Sequence, residues 1–285
     1  MRRLQDLLGS DLKHTRLLAD VTSLQLSQRV LVFTCGNTRA DAVAMVISRT
    51  VYEQLREEYA AEWVATLQEV GDLLLQTGRL RTTARYFIED LLHAALTSHG
   101  QCFPAYDLSS RVPTSASSGA VFHVSTQSDK FLSFGDKSIQ ICSAKTVPNT
   151  ALALAIFVKH DRTAALPRYV YLRPKAANNA TFDACVLLDD GVIWLLQYSV
   201  SREHNISAVG LDWIKKHYSK QHRANWTVNY VYFSTAMPAE VELPVSNEVS
   251  NAITAAFFVQ VHHKPLVKAY SPHYLQKLRE FAEDE

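Results

Sequence analysis

The side chains best suited to chemistry in this chain are oxygen donors set far apart. Glu89 lies in a helix-periodic run, Asp183 opens one apolar run, and Gln197 sits late in the next. Hard divalent cations such as Mg²⁺ or Mn²⁺ take a few oxygen ligands and keep several waters. A helix carboxylate, a strand carboxylate and a strand amide oxygen supply such a set. The ion they hold would activate water and stabilise charge on a phosphodiester. Plainer readings stand beside this one: a lone helix Glu is most often on a solvated face, and an Asp at a strand start often caps a loop. His204, in Ser201-Arg202-Glu203-His204, either caps the helix that follows or adds a titratable group near neutral pH. Lys175, in Arg173-Pro174-Lys175, is a loop cation with solvation as its default. Lys215, Lys216, Lys220 and Arg223, interleaved with His217 and His222, form a basic run suited to phosphate contacts, although basic surface clusters without such a role are common.

The elements that must position these groups centre on a hairpin. Two apolar runs, Phe182–Leu188 and Val192–Val200, flank Asp189-Asp190-Gly191, and apolar runs around an Asp-Gly turn signal paired antiparallel strands. With a three-residue loop, Leu187 faces Ile193, Cys185 faces Leu195 and Asp183 faces Gln197. Directly opposed residues hold their Cβ atoms roughly 4.5–5.5 Å apart. An acid and an amide thus meet at the open end of an otherwise apolar hairpin. A two-residue Asp190-Gly191 turn would put Tyr198 opposite Asp183 instead.

Upstream, Val30–Thr34 reads as a buried strand broken by Cys35-Gly36-Asn37. Helices are expected over Arg39–Tyr59, Ala61–Gln76 and Thr82–His99, the last stopped by Gly100. The broad apolar stripes of the first and third predict packed helices rather than a coiled coil. Past Cys102 the texture changes to short apolar runs punctuated by Gly, Ser, Thr and Pro. Ser109–Gly119 is the clearest internal loop. Strands are expected at Ala120–Ser125, Phe131–Phe134, Ser138–Cys142, Tyr169–Leu172, Trp226–Ser234 and Ala255–Val261. Helices are expected at Asn205–Lys216 and Tyr274–Ala282. Ala151–Val158 is open between helix and strand.

Composition narrows the function classes. The chain has 285 residues, 47% hydrophobic and 20% charged, as an ordinary globular protein does. A formal net charge of +1 leaves no global basic footprint, so any nucleic-acid surface is a local patch. The four cysteines, Cys35, Cys102, Cys142 and Cys185, form no Cys-x-x-Cys pair. A zinc site or disulfide framework is not expected, and reduced buried thiols are the default. The N-terminus lacks a long apolar segment of signal-peptide type, and no run of about 18 apolar residues spans a membrane. Phosphate-loop, dinucleotide, zinc-protease and nucleophile-elbow motifs are absent.

A set of strings extends this reading. Tyr171-Leu172-Arg173-Pro174-Lys175, Phe182-Asp183, Leu196-Gln197-Tyr198-Ser199-Val200-Ser201, His204-Asn205-Ile206 and Gly210-Leu211 together resemble the C-terminal region of Crinkler effectors. They resemble the related retrotransposon hot spot proteins equally. Phe87-Ile88-Glu89-Asp90-Leu91-Leu92-His93 resembles the Phe-Glu-x-x-x-His helix of that family, with Ile88 as an inserted residue, and Asn229–Phe233 resembles its late aromatic-Val strand. The matches run in order from about residue 80 to 235. The resemblance implies an α/β protein: a helical N-terminal third over residues 1–80, as the tail of an NTPase module or a collar, followed over 81–285 by a restriction-endonuclease-like mixed-sheet core of the PD-(D/E)XK type with flanking helices. It implies Glu89, Asp183 and Gln197 as metal ligands and a metal-dependent endonuclease acting on double-stranded DNA. It also implies a secreted effector working in a host cell, in the nucleus. The family's Glu-x-Lys strand reads Gln197-Tyr198-Ser199 here. The site loses one negative charge and its cation, a role left to His204 or Lys175. The alternative is a pseudonuclease that binds DNA or a host protein without cutting.

Overall fold

The computed structural model describes residues 31–34, 43–46, 71–72, 74–75, 81–111, 119–157, 166–174, 181–188, 191–204, 206–219, 226–268, 270 and 274. The chain divides into two compact units, Met1–Leu91 with His263–Glu285, and Leu92–His262.

In the first unit, strand β1 (Leu31–Thr34) pairs antiparallel with β2 (Val43–Val46), Val32 opposite Met45 and Phe33 opposite Ala44. Residues 43–46 were expected within a helix. Val-Ala-Met-Val is a short apolar run, and periodicity alone cannot separate a buried helix turn from a strand over that length. The partner strand, rich in Val and Phe, decides it. The rest of the expected helix Arg39–Tyr59 lies outside the described residues. Residues 71–72 and 74–75 are helical, in line with the second expected helix. Helix α1 (Arg81–Ser98) follows the third to within a residue at each end and passes through the boundary between the units. Asp90 on this helix accepts a 2.6 Å hydrogen bond from the Tyr270 hydroxyl.

The second unit holds an eleven-stranded mixed sheet. Along its main path the order is β12 (Glu242–Ser246), β4 (Gly119–Val124), β3 (Gln101–Arg111), β13 (Ala255–Gln260), β11 (Thr227–Ser234), β10 (Val192–Ser199), β9 (Ala184–Leu187), β8 (Val170–Pro174) and β7 (Ala153–Phe157). Strands β5 (Lys130–Gly135) and β6 (Ser138–Cys142) branch from the first half of β3. The centre, β10–β11–β13, is parallel. Its strands are covered on both faces and read as nearly unbroken apolar runs, as buried parallel strands do. Ala153–Phe157, left open by periodicity, is a strand parallel to β8.

Two strands were not anticipated. Residues 101–108 had no assignment, and Ser109–Arg111 were expected in a loop. β3 nevertheless runs eleven residues, because it changes partners along its length: β5 for 101–105, β13 for 106–107 and β4 for 108–111. Its polar residues therefore do not mark a break. β12 alternates exposed and buried residues and pairs β4 at the sheet margin. Helices α2 (Ala208–Ser219), α3 (Asn247–Ala252) and, in the first unit, α4 (His263–Val267), with a short 3-10 turn at Pro238–Glu240, complete the described elements.

The β5–β6 hairpin turns on Asp136 and Lys137, with φ of 49° and 62°, the left-handed pair that a type I′ turn requires. Asp136 also accepts from the Thr150 backbone and hydroxyl. Gly135 beside it has φ 151°, and a Cβ there would lie 2.1 Å from the Thr150 carbonyl oxygen. Gly135→Ala is expected to destabilise the protein by about 3 kcal/mol through backbone strain and overpacking. Urea unfolding of the two proteins measures this, and an equal midpoint would reject it.

Candidate functional site

The hairpin forms in the expected register. Leu187 faces Ile193 and Cys185 faces Leu195, and beyond the ladder Asp183 and Gln197 meet. The Gln197 side-chain amide donates to the Asp183 carboxylate. The same Oδ2 accepts a 2.7 Å bond from the Tyr198 backbone N–H. The alternative partner, Tyr198, thus also reaches Asp183, by its backbone rather than its side chain. Asp183 is anchored in turn by its own N–H, which donates to the Leu196 carbonyl at 2.8 Å. Both side chains are buried, Asp183 at 6% exposure and Gln197 at 0%, so Asp183 is not a solvated loop cap.

Strand alternation sorts the neighbours onto two faces. Gln197 shares its face with Leu195 and Ile193, and across the parallel ladder with Tyr232, its direct register partner, and Tyr230. Helix α2 covers this face with Leu211 and Ile214, which belong to the same apolar cluster as Cys185, Leu195, Tyr230 and Tyr232. His204 stacks on the Tyr232 ring at 5.8 Å between centroids. The Tyr232 hydroxyl and Ser234 Oγ both donate to the Ser201 carbonyl, at 2.9 and 3.0 Å, which pins the loop carrying His204. Asp183, Gln197 and His204 are therefore gathered along one face. His204 does not cap the following helix. The expected start at Asn205 is overridden because Ile206 bridges to Val245. The first helical amides go instead to side chains: Val209 N–H to Ser207 Oγ and Gly210 N–H to Thr181 Oγ1, at 3.3 and 3.0 Å.

The opposite face carries a second polar group, buried in aromatics. His93 Nδ1 lies 2.6 Å from the Tyr171 hydroxyl, and that hydroxyl lies 2.6 Å from the Tyr198 hydroxyl. All three residues are fully buried. Neither Tyr171 nor Tyr198 was singled out as functional, since an aromatic in a strand reads as core. Only the register, which sets β8 beside β9 and β9 beside β10, brings them together. Tyr171→Phe removes the shared hydroxyl, and a net loss of about 1 kcal/mol per buried hydrogen bond predicts destabilisation by about 2 kcal/mol, read from chemical denaturation. A change below about 0.5 kcal/mol would show the contact to be idle.

The remaining expected residues fall elsewhere. Glu89 belongs to the first unit, and at 3% exposure it is not on a solvated face. Lys175, Lys220 and Arg223 lie outside the described residues. Lys215 and Lys216 occupy helical positions in α2, and their side chains lie outside the described set. Among the described residues no helix is long and apolar enough to cross a membrane.

Whether the pair can hold a hard cation turns on its donor set. Among the described residues there is no cluster of three or more His, Cys, Asp or Glu that could bind a metal. Asp183 offers one carboxylate. Gln197 offers Oε1, which is buried and has no hydrogen-bond partner among the described residues. Two oxygens with water completing the shell fit the habits of Mg²⁺ and Mn²⁺. The fit is weaker than for two carboxylates, because Gln197 already satisfies Asp183 through its nitrogen.

The cysteines Cys102, Cys142 and Cys185 are free; the first two are partly exposed and Cys185 is buried. Burial pushes the Cys185 thiol far above its ordinary range, and a thiol held neutral is a poor nucleophile. Cys185 is therefore expected to resist iodoacetamide in the folded protein and to react once urea unfolds it. Peptide mass mapping checks this, and native labelling at Cys185 would contradict the burial.

No protein-family model, curated protein or solved structure matches the chain.

Proposed function

We propose that this chain is a metal-dependent DNA endonuclease of the Crinkler-like effector type, built on a restriction-endonuclease-like core and acting on double-stranded DNA within a host cell, in its nucleus. The observation that carries the reading is the meeting of Asp183 and Gln197 across adjacent antiparallel strands, with Gln197 Oε1 buried and without a hydrogen-bond partner among the described residues. The mixed α/β architecture is compatible with it. Asp183 takes the role of central metal ligand and Gln197 that of the second, and Glu89 enters as a ligand by the resemblance alone. When bound, Mg²⁺ or Mn²⁺ would supply Lewis-acid stabilisation of a phosphodiester and an activated water. Asp183 would fix the ion through its carboxylate. His204, stacked on Tyr232 beside Gln197, would stand in for the missing cation when protonated, so activity would fall as pH rises past about 7. Lys175, the other substitute for that cation, enters from the sequence pattern, as do the phosphate contacts of Lys215, Lys216, Lys220 and Arg223.

One observation favours the second reading, a pseudonuclease that binds DNA or a host protein. The Gln197 amide nitrogen donates to Asp183, so the pair is held together without needing an ion between two negative charges. Plasmid cleavage by purified protein with Mg²⁺ and with Mn²⁺, beside Asp183→Ala, separates the two. Nicking that depends on both the metal and Asp183 supports the nuclease. DNA that is shifted in a gel yet uncut across both metals and pH 6–9 would move the assignment to the pseudonuclease.

A further inference from the structure

On the Gln197 face, Gln197 Oε1 and the Tyr230 hydroxyl have no protein partner among the described residues. Both residues are at 0% exposure. Buried polar atoms are rarely left unpaired, and each orphan asks for an explanation. The register accounts for their proximity. Tyr230 sits beside Leu195 on β10 and Gln197 beside Tyr232 on β11, so both side chains leave the same face one alternation apart. Helix α2 and the apolar cluster close that face against bulk solvent. The phenol also feels the Asp183 carboxylate: its pKa is raised well above the usual value, first by burial and then by Tyr232 and Asp183. Tyr230 is therefore a neutral donor, Gln197 Oε1 an acceptor, and Asp183 a second acceptor. Their valences are complementary to one small group that accepts once and donates twice.

We infer that Tyr230 is a positioning residue of the Asp183–Gln197 site, its hydroxyl donating to a bound water that in turn donates to Gln197 Oε1 and Asp183. A buried water with about three partners of this kind is an integral part of a fold. It locks the Gln197 amide in the orientation that keeps its nitrogen on Asp183 and so fixes the carboxylate. The catalytic part of this inference rests on the nuclease reading; the water does not.

The test is Tyr230→Phe in the full chain, which keeps the ring and removes one oxygen. An idle orphan hydroxyl exchanged for hydrogen leaves stability unchanged or improved. A hydroxyl bonded to a shared water costs about one hydrogen bond, so the variant is expected to melt about 2–4 °C below wild type in EDTA. With Mn²⁺, turnover on plasmid DNA should fall about 10-fold while KM stays within about 2-fold, because the phenol acts through the acid and not on the DNA. A variant that melts at or above the wild-type temperature overturns the shared water. A lowered melting point with wild-type turnover overturns the positioning role. If wild type itself leaves DNA intact, the nuclease reading and the positioning role fall together, while the melting comparison still decides the water.

Discussion

Asp183→Asn should keep the fold and lose metal-dependent cleavage. Asn is nearly isosteric with Asp, and its side-chain oxygen can still accept from the Tyr198 N–H, as Asp183 Oδ2 does now at 2.7 Å. The Gln197 amide donates to that same oxygen, so an Asn carbonyl in the place of Oδ2 keeps both hydrogen bonds and puts its amide nitrogen where Oδ1 now lies. The stability change should stay within about 1 kcal/mol. Asp183→Ala, by contrast, leaves two buried donors without their acceptor, at roughly 1–3 kcal/mol each. The two variants therefore separate chemistry from folding. With the anion gone, the hairpin end loses its carboxylate ligand, and cleavage should drop by at least about 10²–10³-fold, the scale on which loss of one preorganised electrostatic group acts. Circular dichroism and melting confirm the fold, and gel-based nicking rates read the chemistry. Folded Asp183→Asn that nicks DNA at the wild-type rate would remove Asp183 from the site.

The hairpin was legible because its signals agree. An Asp-Gly turn between two apolar runs marks the strands, the loop length leaves two registers open, and Leu187–Ile193 and Cys185–Leu195 pair as the three-residue loop requires. Gln197 was legible for the same reason, as a polar residue at a position the register aims inward. Val43–Val46 was not, since four apolar residues carry no period and their partner lies in β1. β3 was not, since its partners β5, β13 and β4 are scattered from residue 119 to 260. Tyr230 had no signal of its own beyond its place in the aromatic-Val string Asn229–Phe233. In the sequence it is one more aromatic in Thr227–Ser234, and only burial, with a hydroxyl that has no partner among the described residues, sets it apart.

Tyr230 also sets the direction of alkaline behaviour. A phenol whose pKa is raised on folding binds its proton more tightly in the native state. Its contribution to stability is complete below the unfolded value of about 10 and is lost as pH climbs from there toward the folded value. Tyr230→Phe should accordingly lose less stability than wild type between about pH 9 and 11. Parallel denaturation curves across that range would contradict the burial of the hydroxyl.

Gln197→Glu is expected to make the protein's stability depend on metal. In the wild-type pair a neutral amide faces Asp183 and donates to it. Glu replaces that donor with an oxygen anion at hydrogen-bonding range from a carboxylate, in a setting where Gln197 is fully buried. Two unit charges about 4 Å apart repel by about 4 kcal/mol at an effective dielectric near 20, and the lost hydrogen bond adds about 1 kcal/mol. In EDTA near pH 8 the variant should therefore melt about 10–15 °C below wild type, at the few degrees per kcal/mol expected for this size. Two routes relieve the repulsion. A shared proton does so as pH falls, because like charges raise one carboxyl pKa. A divalent cation does so at constant pH, and it binds more tightly to two anions than to an anion and an amide. Mn²⁺ should thus restore most of the lost melting temperature in Gln197→Glu, shift wild type by less, and leave Asp183→Asn unmoved. Cleavage should match or exceed wild type once the ion is present, because the variant regains the second acid of the nuclease pattern. The decisive comparison is the melting shift on adding Mn²⁺ across the three proteins. Equal shifts, or none in Gln197→Glu, would mean that the hairpin end does not hold a cation. Asp183 and Gln197 would then be a structural clasp, and the pseudonuclease reading would take precedence.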